Sequence, residues 1–133
     1  MSADPEMLAL ARQMMARAYA PYSNFHVGAA VRGANGKLYG GCNVENSAYP
    51  VGNCAEASAI SAMVADGQTR ITEVLVMTPG PDMPSPCGSC RQRLREFAAE
   101  DVPVHMAFPD RILKTVKFGE LLPYAFVHGH PGN

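Results

Sequence analysis

The chain has 133 residues, 47% of them hydrophobic and 17% charged, with a formal charge of −1, so its length predicts a single domain over 1–133 able to bury roughly two thirds of its unfolded surface. This balance supplies no basic field to gather phosphates, which argues against nucleic acid as a partner, and no stretch reaches the ~18 apolar residues that a membrane helix needs. The start, Met1-Ser-Ala-Asp-Pro-Glu6, lacks a basic and apolar leader, so a cytoplasmic protein with no membrane partner is expected.

Asp4 before Pro5 predicts an N-cap with proline at N1, and Met7, Leu8, Ala11, Met14, Met15 and Ala18 recur at helical spacing up to Pro21. The methionines of this stripe read as core filler. Val27 to Arg32 and Lys37 to Val44 flank Asn35-Gly36, a two-residue turn signal, and are expected to pair as a hairpin. A loop from Glu45 to Asn53 leads to a helix over Cys54 to Ala65, stopped by Gly67. Ile71 to Thr78 is rich in apolar and β-branched residues and predicts a buried strand. After the Pro/Gly-rich segment 79–86, a helix should start near Cys87 and carry Leu94 and Phe97 inward. Val102 to Phe108 reads as another strand, and Phe118-Gly-Glu-Leu-Leu-Pro123 as a short helical pattern. The order helix, hairpin, helix, strand, helix, strand implies an α/β fold in which helices sandwich a mixed sheet.

The chemistry sits in two short groups, Cys54-Ala-Glu56 and Pro86-Cys87-Gly-Ser-Cys90. Three thiolates form the protein part of a catalytic zinc shell that keeps its fourth position for water, and Glu56 is left free for proton transfer. Both groups stand where a helix begins, where unpaired N–H groups and the positive end of the helix dipole stabilise thiolates. Other readings of these residues stay open: a closed four-thiolate zinc site that recruits Cys42, or a redox pair formed by Cys87 and Cys90. Without a metal or redox task, Cys42 reads as a buried thiol at a strand end.

With the metal motif the chain carries Tyr22-Ser-Asn-Phe25, Val27-Gly-Ala-Ala30, Cys42-Asn-Val-Glu-Asn46, Ala48-Tyr49, Cys90-Arg-Gln92 and Leu121-Leu-Pro-Tyr-Ala-Phe126. Over nearly its whole length it resembles the small, homotetrameric cytidine deaminases. The resemblance implies a three-layer α/β/α fold with a mixed central sheet, one Zn2+ per subunit held by Cys54, Cys87 and Cys90, and Glu56 as the catalytic proton shuttle. It implies that Asn43 and Glu45 hydrogen-bond the sugar hydroxyls, that Phe25 stacks on the pyrimidine, and that the Ala55 N–H meets the base O2. Tyr49 and Phe126 are expected to reach a neighbouring subunit's pocket, so that a homotetramer shares its sites.

The implied reaction is hydrolytic deamination of cytidine and deoxycytidine to uridine and deoxyuridine, a step of pyrimidine salvage. Zinc makes a water available as hydroxide near neutral pH for attack at C4, and Glu56 carries protons to ring N3 and to the departing amine. A deaminase of another aminopyrimidine nucleoside or nucleoside antibiotic is the neighbouring enzymatic reading. A zinc-stabilised binding module without catalysis is the reading from another class. The chain departs from its resemblance at Ala57, where similar enzymes often place Arg or Gln against the zinc thiolates. Three thiolates and one Zn2+ carry a net charge of −1, and the expectation is that Arg91 and the two helix N-termini offset it. His26, His105, His128 and His130 have no place in this scheme.

Overall fold

The computed structural model describes residues 3–129, so His130 lies outside the described residues. Helix α1 runs over Pro5–Arg17, its N-cap Asp4 accepting a hydrogen bond from the Glu6 N–H at 2.7 Å. Strands β1 (Gly28–Gly33) and β2 (Leu38–Cys42) form the expected hairpin. Its turn has a different geometry from the one the Asn35-Gly36 pair predicts. Gly33 and Lys37 close a three-residue loop through the Gly33 N–H to the Lys37 carbonyl at 2.9 Å, and Gly36 has φ 85° while Asn35 stays on the usual side. A two-residue type I′ turn needs positive φ at both positions; a three-residue loop needs it at one, which glycine fills.

Helix α2 (Ala55–Ala65), strand β3 (Ile71–Met77), helix α3 (Gly88–Arg95) and strand β4 (Pro103–Phe108) follow, close to the predicted bounds. Phe97 falls beyond the end of α3 but is partly buried against the core, as expected of it. Strand β5 (Arg111–Lys117), absent from the sequence reading, precedes the short helix α4 (Phe118–Leu121). It escaped because it is an edge strand, mostly exposed, with Lys114, Thr115 and Lys117 among its residues, and so lacks apolar alternation.

The sheet order is β2-β1-β3-β4-β5. β1 is antiparallel to both β2 and β3, β3 is parallel to β4, and β5 is antiparallel to β4, so β2, β3 and β4 all end on one edge of the sheet. Alternation along the strands buries both faces. Ala29, Val31, Val74, Val76 and Val104 meet Ala59 and Met63 of α2 and Leu94 of α3 on one side. Ala30, Leu75, Met77 and Ala107 meet Met7 and Ala11 of α1 on the other. The expected three layers are thus present, and no helix among the described residues is long and apolar enough to cross a membrane.

Two features fix the layers in register. Gly41 of β2 lets α2 approach so closely that a Cβ there would lie 2.3 Å from the Ala59 nitrogen and 2.4 Å from the Ala55 oxygen. A polar line also crosses the sheet: Arg32 binds Asp4 at 2.6 Å and Glu73 at 3.3 Å, and Glu73 meets the buried His105 Nε2 at 2.6 Å. His105 Nδ1 lies 2.8 Å from the Thr115 hydroxyl. His105 therefore has a structural place, joining β3, β4 and β5.

Candidate metal centre and active-site cavity

Cys54 is the N-cap of α2 and Cys87 the N-cap of α3, with Cys90 in the first turn of α3. The β2-α2-β3 and β3-α3-β4 crossovers leave the same edge of the sheet, so the two helix starts converge. The sulfurs of Cys54, Cys87 and Cys90 all lie within 4.8 Å of one another. Ligands ~2.3 Å from one tetrahedral ion stand ~3.8 Å apart, so this all-sulfur set suits zinc. Cys42 is not part of the cluster; it is a half-buried free thiol whose carbonyl accepts a hydrogen bond from the Ser58 hydroxyl at 3.0 Å. The closed four-thiolate arrangement is therefore not formed.

The three sulfurs differ in setting. Cys90 is fully buried, and burial, followed by the nearby Glu56 charge and Cys54, pushes its thiol pKa up. Cys87 is exposed, and the hydrogen bond with the Ser89 hydroxyl at 3.3 Å is the main cause holding its thiol below the usual value. Glu56, in the first turn of α2, is 4% exposed, and burial raises its carboxyl pKa against the opposing pull of its own backbone N–H, Cys90 and Arg93. Burial of this kind favours the neutral carboxyl over the carboxylate.

The cluster lines a cavity of about 570 Å3, within the usual range for small-ligand sites. Phe25, Asn43, Glu45, Tyr49, Ala55 and Glu56 all line it, with Cys54, Cys87 and Cys90. Ala55 is the first residue of α2, where helix geometry leaves the N–H without an intrahelical acceptor. Asn43 and Glu45 also shape the loop that presents Phe25. The Asn43 side chain donates to the Phe25 carbonyl at 2.8 Å and accepts from the Val27 N–H at 2.9 Å, which uses half of its hydrogen-bonding capacity. Glu45 accepts from the N–H groups of Tyr22 and Ser23 at 3.0 and 3.1 Å and from the Ser23 hydroxyl.

Tyr49, expected at a neighbour's pocket, lines the cavity of its own chain while remaining 75% exposed. Phe126 does not line that cavity; it is 71% exposed, with its carbonyl bound by the Gln92 side chain at 3.2 Å and its ring 6.4 Å from that of His128. The sequence pattern missed Thr78 and Ser85, which also line the cavity and carry no motif. The Thr78 hydroxyl is buried with no hydrogen-bond partner among the described residues.

The structure corrects the expectation for Arg91. Its guanidinium donates to the Pro86 carbonyl at 2.8 Å, the Leu121 carbonyl at 2.7 Å and the Ser85 hydroxyl at 2.8 Å, and so ties the loop before α3 to the end of α4 rather than reaching sulfur. The guanidinium at the thiolates is that of Arg93, 3.8 Å from Cys90 Sγ. Adjacent residues on a helix point about 100° apart, whereas residues three apart share a face. The i, i+3 spacing of Cys90 and Arg93 was the available signal.

A family model described as "Cytidine and deoxycytidylate deaminase zinc-binding region" matches residues 1–106. The chain is 38% identical over 121 residues to a cytidine deaminase of Sporosarcina psychrophila, covering 91% of this chain and 89% of that protein. It is 36% identical over 116 residues to the cytidine deaminase of Mycobacterium tuberculosis, with 87% and 84% covered. Its fold superposes on the crystal structure of cytidine deaminase from Burkholderia pseudomallei with a TM-score of 0.87 at 35% identity, over 94% of this chain and all of that one.

Proposed function

The chain belongs to the cytidine and deoxycytidylate deaminase family, and we propose that it is a zinc hydrolase converting cytidine and deoxycytidine to the uridine nucleosides with release of ammonia. The observation that carries this reading is the buried Glu56 carboxyl beside three clustered sulfurs in the lining of a cavity large enough for a nucleoside. Cys54, Cys87 and Cys90 would hold the zinc, which would supply a water able to ionise near neutral pH.

The chain's own residues do the rest. Glu56 accepts a proton from the attacking water and delivers it to ring N3, which leaves C4 electrophilic. It then carries the second proton to the exocyclic nitrogen, which departs as ammonia, so that one water is consumed for each amine lost. Phe25 stacks on the base, the Ala55 N–H meets O2, and the free lone pairs and N–H of Glu45 and Asn43 take the sugar hydroxyls. Desolvation by the cavity walls strengthens each of these contacts.

Assembly belongs to the same reading. Tyr22, Phe25, Val44 and Tyr49 are exposed at the cavity, and Phe126 stands exposed on the C-terminal segment. Apolar side chains gathered at a cavity mouth suit a subunit interface, and we assign them to a homotetramer acting in the cytoplasm in which neighbours complete each other's sites.

The test follows the loss of cytidine absorbance at neutral pH together with metal content, in the parent and in Glu56→Gln. The parent should deaminate cytidine, and Glu56→Gln should keep its zinc while losing at least ~10²-fold in kcat, the low end for acid–base catalysis. A parent inert toward cytidine but active on another aminopyrimidine nucleoside in a substrate panel would move the specificity; near-normal turnover in Glu56→Gln would remove the carboxylate from the mechanism.

A further inference from the structure

The reading above leaves a charge unbalanced. Three thiolates and one Zn2+ carry a net negative charge, and the buried Glu56 beside them adds to it whenever it is ionised. We propose that Arg93 is the positioning residue that offsets this charge, its guanidinium holding the Cys90 thiolate from outside the cavity; the inference rests on the zinc reading.

Three observations carry it. Arg93 Nη1 lies 3.8 Å from Cys90 Sγ and 3.3 Å from the Ser89 hydroxyl, which is itself 3.3 Å from Cys87 Sγ, so one guanidinium touches one ligand directly and a second through a hydroxyl. Arg93 does not line the cavity, so its charge acts on the metal shell without meeting substrate. The neighbouring guanidinium groups are committed elsewhere, Arg91 to Pro86, Leu121 and Ser85, and Arg95 to the Ala98 carbonyl at 3.1 Å.

A plainer role is available. Arg93 stands in the last turn of α3, where a cation is favourable to the helix dipole. That role would change thermal stability and leave the metal untouched, so metal readouts separate the two.

The experiment compares the parent, Arg93→Met and Arg93→Lys in three ways: zinc competition against a chromophoric chelator, the sulfur-to-cobalt charge-transfer band of the Co2+-substituted proteins, and kcat and KM for cytidine. Arg93→Met should loosen zinc by about ten- to a hundredfold, the usual range for groups that orient a ligand from outside the metal shell. Its cobalt band should move to lower energy, because an uncompensated thiolate gives up electron density more easily. Turnover should fall with KM unchanged, and Arg93→Lys, which keeps the charge but not the fork, should recover part of each effect.

An Arg93→Met protein with the parent's zinc affinity and cobalt band overturns the proposal, as does a lysine variant no better than the methionine one. Arg93 is exposed, so these changes leave the core intact; if the methionine variant is insoluble, Arg93→Gln makes the same comparison. A parent that takes up no zinc overturns the zinc reading itself, and that result is read before any variant is made.

Discussion

Gly41→Ala tests whether the docking of α2 on β2 sets the metal site. A methyl group at this position meets backbone, the Ala59 nitrogen at 2.3 Å and the Ala55 oxygen at 2.4 Å, with the Ser58 Cβ at 2.8 Å. Ordinary contact begins near 3.5 Å, so α2 must retreat by about 1 Å. No rotamer change relieves this, because two of the three atoms belong to the helix backbone. Overpacking of this kind costs ~1–3 kcal/mol, a loss of several degrees in Tm for a domain of this size.

The chemical penalty should exceed the structural one. The retreating helix carries Cys54 and Glu56 away from Cys87 and Cys90, and a shift of ~1 Å in a catalytic group can cost ~10²-fold in rate. The control is Gly88→Ala, which lies between two of the clustered cysteines yet has open space around its Cβ position and no positive φ. Thermal melts, zinc content and cytidine turnover of both variants decide the matter. Gly41→Ala should lose stability, zinc and activity together, while Gly88→Ala keeps all three. Parent-like zinc binding and turnover in Gly41→Ala would refute the claim that this contact sets the site.

Glu45 is held ionised by the Ser23 hydroxyl first, then by the N–H groups of Ser23 and Tyr22, so its carboxyl titrates below the usual range. Its stabilising contribution is fully present above the unfolded carboxylate pKa of ~4.3 and is lost as pH falls through the lowered folded value. Glu45→Gln should therefore melt below the parent at pH 7, with the gap closing under about pH 4; a gap that stays constant would show that the charge plays no part. Light scattering on the active protein should give the mass of a tetramer, and a fully active monomer would remove shared sites from the reading.

Legibility in the sequence followed the physics of each element. The clustering of the three cysteines with Glu56 was foreseeable because metal-binding chemistry restricts both residue type and spacing, and the helix starts were readable from Asp4-Pro5 and from the cysteines that cap α2 and α3. Strands β3 and β4 were legible because both of their faces are buried. Strand β5 was not, because an exposed edge leaves little apolar record. Arg91 was mistaken for the thiolate partner because adjacency in sequence stood in for adjacency in space; on a helix the residue that faces Cys90 is Arg93. Thr78 and Ser85 reach the cavity through the fold of the 78–87 segment, which no local pattern foretells. Asn43 and Glu45 were read for what they offer a ligand, whereas the tethering of residues 22–27 that the structure shows depends on contacts distant in sequence.

The run of β2, β3 and β4 toward one edge of the sheet has a further consequence, for the order of assembly. Cys54 precedes β3 whereas Cys87 and Cys90 follow it, so the sulfurs meet only after β3 has settled between β1 and β4. A chain leaving the ribosome has no complete metal shell until residue 90 has emerged and this long-range pairing is in place. A zinc ion bound by all three sulfurs would therefore select chains in which that pairing is already in place. Such binding would raise the proportion that stay folded by mass action, much as closing the 54–87 segment with a cross-link would.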